Sequence, residues 1–169
     1  MKAIQYIVLA VAAIITFASC EKKDYLLGVE EMDHHYYAIF VPNNNTGVSV
    51  NRTQTTLVKF PVQFYSTFTR DYDAVAKYAV VKTGITNPAV VGQDFAVVDK
   101  NGNVIPSADS TYTMTFQKAV QATDTIYIKL LNSSVAGTRR VEIQMMENKT
   151  EKFYVDIFST AFRRPLEIK

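Results

Sequence analysis

Tryptophan is absent from these 169 residues, glycine occurs only six times, histidine twice and cysteine once. Each shortage removes a class of protein. A single cysteine cannot form a disulfide within the chain, so the core must stand on burial alone. His34 and His35, with no other histidine and no second cysteine, leave nothing from which to build a zinc centre or a Ser-His-Asp set. Adjacent residues on a strand point to opposite faces, so this pair does not readily chelate one ion and reads as solvated. Excess charge of one sign is missing as well. From residue 20 onward 17 Lys and Arg stand against 16 Asp and Glu, which gives no electrostatic case for nucleic acid. No cofactor and no metal is expected.

What is present begins with an apolar run. Met1 and Lys2 give a short positive start, Ala3 to Ala18 are apolar apart from Gln5, Tyr6 and Thr16, and Phe17-Ala18-Ser19-Cys20 closes the run. This is the layout of a secretory signal, although a stretch of about 20 apolar residues also suits a marginal transmembrane helix. Small residues before the cysteine favour the signal. The segment resembles the lipobox of bacterial lipoproteins, with Phe17 where leucine is commonest. That resemblance implies a signal peptide over residues 1–19, acylation of Cys20 and an acylated N-terminus and tether over residues 20–34. Several acyl chains together hold a membrane stably where one does not. The charged "EKKD" at Glu21 to Asp24 resembles the start of Bacteroidetes lipoproteins, which implies the outer membrane, with the cell surface favoured over the periplasmic face.

Ten Phe, ten Tyr and many Val and Thr favour strands over helices, and the remaining length of about 150 residues suits one domain, residues 35–169. Tyr36 to Val41 reads as a first strand. In Thr56 to Ser66, Val58, Phe60, Val62 and Phe64 alternate with Leu57, Lys59, Pro61, Gln63 and Tyr65, the period of a half-buried strand. Pro61 cannot donate to a ladder and predicts an edge or a bulge there. Ala74 to Thr83 alternates again, Ala96 to Val98 is short, and Asn101-Gly102 is a hairpin signal. Four further strands follow at Thr111 to Gln117, Asp124 to Leu131, Arg139 to Glu147 and Lys152 to Ser159. Residues 162–169 read as a terminal extension. About eight strands and no helix predict an all-β, antiparallel two-sheet sandwich.

The order of features from Val58 to Asn148 is similar to Calx-beta-like and other immunoglobulin-like sandwiches of seven to eight strands. "GQDF" at Gly92 to Phe95 and the paired strands from Tyr112 to Leu131 carry that resemblance. With the lipobox, the chain resembles small Bacteroidetes outer-membrane lipoproteins of unknown function, often found beside polysaccharide-uptake transporters. Some Calx-beta domains bind calcium, which wants six to eight oxygens with several carboxylates. Asp94 matches the motif, but the "NSSVAGT" loop at Asn132 to Thr138 has no acid. Asp94 is therefore expected to cap a turn.

One stretch gathers binding chemistry. Tyr65, Phe68, Tyr72 and Tyr78 surround Arg70, Asp71 and Asp73, and such aromatics either fill a core end or stack on a sugar or a partner. Asp71 and Asp73 are the nearest candidates for a glycosidase pair, but a solvated turn explains them as well. The expected function is a non-catalytic, lipid-anchored accessory binding or interaction module, with a glycan or an outer-membrane transporter complex as partner. The alternative is a structural or adhesive protein that assembles by strand addition at Pro61 or near Phe153.

Overall fold

The computed structural model describes residues 30–169. The expected signal peptide, Cys20 and most of the expected tether lie outside the described residues. A 3₁₀ turn at Glu30–Asp33 leads into strands β1 (His35–Phe40), β2 (Val48–Val50), β3 (Val58–Tyr65), β4 (Ala74–Val81), β5 (Phe95–Val98) and β6 (Thr111–Phe116). A second 3₁₀ turn at Gln117–Ala119 precedes β7 (Ala122–Leu130), β8 (Arg139–Met146), β9 (Asn148–Lys149), β10 (Tyr154–Asp156) and β11 (Arg163–Ile168). They form two sheets, ordered β5-β7-β3-β1-β10-β9 and β2-β11-β8-β4-β6. The chain is an all-β, two-sheet sandwich.

The alternation read from the sequence sets the core. Val58, Phe60, Val62 and Phe64 of β3, Tyr112, Met114 and Phe116 of β6, and Ile126, Ile128 and Leu130 of β7 are all buried. Phe64 and Phe116 stack across the two sheets with ring centroids 4.6 Å apart. Fully burying one such side chain contributes about 1.5–3 kcal/mol, so these stripes alone drive the faces together.

Three details differ from expectation. Two pairs, β1 with β10 and β11 with β2, are parallel, so both sheets are mixed. Pro61 lies in an inner strand, because β3 runs between β1 and β7. The Val41 amide donates to the Pro61 carbonyl at 2.9 Å, so the proline nitrogen faces the same neighbour where β1 has already ended. Little of the ladder is therefore lost. The third detail concerns the C-terminus, where residues 163–168 are an inner strand between β8 and β2. Leu166 and Ile168 point inward with Arg164, whose charge hid the alternation.

Candidate functional site

Three connections meet at one end of the sandwich: the first 3₁₀ turn, the β3–β4 loop and the β9–β10 turn. Glu31 ties the first two together. Its Oε1 accepts from the Ser66 hydroxyl at 2.8 Å and the Phe68 amide at 2.9 Å, and the Thr67 amide reaches both carboxylate oxygens at 2.7 Å. Burial pushes the Glu31 carboxyl up, but the Phe68 amide, the Ser66 hydroxyl and the Thr67 bonds outweigh it and hold it below the usual carboxylate range. The packed domain thus reaches back into the expected tether.

Arg70 continues the connection. Its Nη2 donates to the Glu31 carbonyl at 2.7 Å, its Nε donates to Tyr36 Oη at 3.2 Å, and its guanidinium lies 5.4 Å from the Phe68 ring centre. Tyr36 Oη lies 2.7 Å from Tyr72 Oη, which in turn hydrogen-bonds His34 Nδ1. Tyr36 Oη accepts from Arg70, and the two phenols and the imidazole form one continuous hydrogen-bonded chain beyond it. Burial, followed by the Tyr36 hydrogen bond, pushes the Tyr72 phenol well above its usual range, so this hydroxyl stays neutral.

The chain ends at an open hollow of about 500 Å³ lined by His34, Asp71, Tyr72, Lys149, Lys152 and Phe153. The Tyr72 ring stacks on Phe153 at 5.8 Å and on His34 at 5.5 Å. His34 sits at φ 59°, a left-handed conformation in which histidine is several-fold enriched. Its carbonyl accepts the Tyr154 amide at 2.9 Å, which fixes the hollow's third wall.

Among the residues singled out from sequence, Asp71 and Tyr72 line this hollow, and Arg70 joins it through Tyr36, with the exposed Phe68 ring beside its guanidinium. Tyr65 does not join them. It is 42% exposed on the outer face of β3, opposite Tyr37. Asp73 turns away to accept the Lys118 amide at 2.8 Å, so it does not pair with Asp71 in the hollow. Glu31, His34, Tyr36 and Phe153 are new to the site. A signal for Tyr36 existed, since a phenol on an inward strand position needs a partner for its hydroxyl. For Glu31 none did, because its partners lie more than 30 residues away.

The two histidines do point opposite ways, but neither is merely solvated. His35 stacks on Tyr37 at 5.1 Å and Tyr154 at 4.6 Å, and its Nε2 lies 3.0 Å from Asp156 Oδ2. Asp94 is buried and accepts the Val90 amide at 2.8 Å, the turn cap expected of it. In the acid-free loop, the carbonyls of Ser133, Val135 and Gly137 accept from the Arg52 guanidinium. Among the described residues no group of three or more His, Cys, Asp or Glu is arranged to hold a metal ion.

No protein-family model matches the chain, and no curated protein matches it. Among solved structures, the apo-form Calx CBD1 domain aligns with 79% of this chain and 97% of its own length, at 13% identity and a TM-score of 0.49. CBD12 from CALX1.2 aligns with 78% of this chain and 44% of its own length, at 15% identity and a TM-score of 0.48. A family 123 glycoside hydrolase from Clostridium perfringens aligns with 74% of this chain and 23% of its own length, at 15% identity and a TM-score of 0.34. Calx domains are thus among the structures this chain is similar to, and likeness at this level says nothing of its ligand.

Proposed function

We propose that this chain is a non-catalytic, lipid-anchored envelope protein acting as an accessory binding module, with an oligosaccharide as the ligand of the hollow beside Tyr72 and Phe153. The observation that carries the reading is the hydrogen-bonded chain from Arg70 through Tyr36 and Tyr72 to His34. It holds hydroxyl and imidazole groups at fixed positions beside an aromatic ring. Aromatic faces stack on the apolar face of a pyranose, and fixed hydroxyl, imidazole, carboxylate and ammonium groups select its hydroxyls. Cys20 supplies the anchor, and the outer membrane with its transporter complexes supplies the setting.

The test is a binding survey of the full chain against neutral and acidic oligosaccharides, repeated with Phe153→Ala. A saccharide that binds the native chain and loses at least about tenfold affinity in F153A supports the reading. Absence of binding across the survey, or binding indifferent to F153A, sinks it. The anchor is tested separately: C20A is expected to leave the chain unacylated and released from membranes by carbonate.

A further inference from the structure

The two sheets leave four edges, and they are not equally guarded. β9 and β2 are two and three residues long. β5 is covered along its length, since Val98 bridges to Val104 and the Ile105 amide donates to the Val97 carbonyl. β6 is different. It runs for six residues with the sequence TYTMTF, pairs among the described residues only with β4, and carries no charge or proline. Natural edge strands normally have at least one such guard.

The register shows which backbone groups are open. The Val80 amide donates to the Ser110 carbonyl, so Tyr112, Met114 and Phe116 continue the hydrogen-bonded pairs with β4. Thr111, Thr113 and Thr115 therefore turn their amides and carbonyls away from β4. Thr111 is capped by its own loop, its amide on Asp109 Oδ1 at 3.0 Å and its carbonyl on the Ser107 hydroxyl at 2.9 Å. Two amides and two carbonyls remain, on Thr113 and Thr115, and both residues are exposed.

We propose that β6 is a self-association edge, whose occupant is β6 of a second copy of this chain in antiparallel, two-fold register. With the axis through Met114, Thr113 of each copy lies opposite Thr115 of the other. Four hydrogen bonds form and all eight open groups are satisfied. Shifting the register by one hydrogen-bonded pair in one direction sets Thr115 against the capped Thr111, and in the other direction sets Thr113 against Gln117 in the second 3₁₀ turn. Charge agrees with the same alignment. Lys118 and Asp109 are exposed just beyond opposite ends of β6, and two-fold pairing sets the end of one copy that carries Lys118 beside the end of the other that carries Asp109. An arbitrary extended peptide has no such matching acid and base. Cross-strand threonine pairs on the outer face add to the contact.

The test is sedimentation velocity of the full chain in density-matched detergent across a wide concentration range. A reversible monomer–dimer equilibrium is expected. Thr115→Pro removes an amide that β4 does not use, so it keeps the fold and weakens association by at least about tenfold. T113E/T115E retains every amide and sets like charges opposite one another, so it keeps the test valid if the proline variant fails to fold. Slowed exchange of the Thr113 and Thr115 amides in the dimer identifies the edge. A strict monomer, open-ended assembly, or a dimer unaffected by either variant overturns the proposal.

Discussion

Two arginines serve opposite ends of the molecule. Arg164 of β11 is buried, and every acceptor it reaches belongs to one loop: the carbonyls of Pro42 and Asn44, Asn44 Oδ1 at 2.8 Å and the Thr46 carbonyl at 3.5 Å, with Phe40 under its guanidinium at 5.4 Å. Arg70 divides its donors between the Glu31 carbonyl and the Tyr36 hydroxyl. The first ends in the backbone and one side-chain amide of that loop. The second is continued through two phenols to an imidazole at an open hollow. A guanidinium spent on a single loop holds structure, whereas one continued by a hydrogen-bonded chain to an open hollow prepares a surface for something else.

The comparison is broken most severely at Arg164. Arg164→Ala removes the donor shared by the Pro42, Asn44 and Thr46 carbonyls together with the Phe40 contact, and is expected to cost about 3 kcal/mol in urea unfolding. Arg164→Lys keeps charge but loses the fork, and is expected to recover less than half of that. Any change in ligand binding there would blur the distinction between the two ends.

Glu31→Gln comes next, at about 2 kcal/mol near neutral pH, since the bonds it weakens are charge-assisted. The pH dependence has a definite sign. The folded carboxyl lies below the unfolded value of 4.5, so its stabilisation is present above 4.5 and is lost as pH falls through the lower folded value. Unfolding measured across that acid window should show a shallower slope in E31Q. An unchanged slope would mean that Glu31 does not tie the turn to the β3–β4 loop.

Tyr72→Phe sharpens the comparison at the other end. It removes one hydroxyl from the chain, with an expected stability loss of about 1 kcal/mol and a loss of about tenfold in saccharide affinity. Equal effects on folding and binding titrations would make Tyr72 as structural as Arg164. The smallest effect is expected at Asp73, which caps the Lys118 amide outside the hollow. Asp73→Ala should cost about 0.5–1 kcal/mol in thermal melts and leave binding unchanged.

The strands whose inward residues alternate with polar ones were legible because burial on one face writes a period of two directly into composition. β3, β6, β7 and β8 show it most clearly. β11 was not legible, since Arg164 occupies an inward position and Pro165 interrupts the run. Pro61 misled for a related reason: whether a missing amide matters depends on where the neighbouring strand ends. At the site, Arg70, Asp71 and Tyr72 were visible as clustered binding chemistry, whereas Tyr36, His34 and Phe153 were not, because they arrive from β1, the residue before it and the β9–β10 turn.

The sequence by itself determined that two sheets close over an apolar core, since alternating side chains leave the strands no other way to bury one face. It also placed Cys20 at the end of an apolar run, outside the described residues. Tertiary structure alone decided which strand is an edge, which histidine meets which tyrosine, and which arginine is spent on a single loop. Those outcomes depend on contacts between residues far apart in the chain, and no local pattern of residue types encodes such pairings.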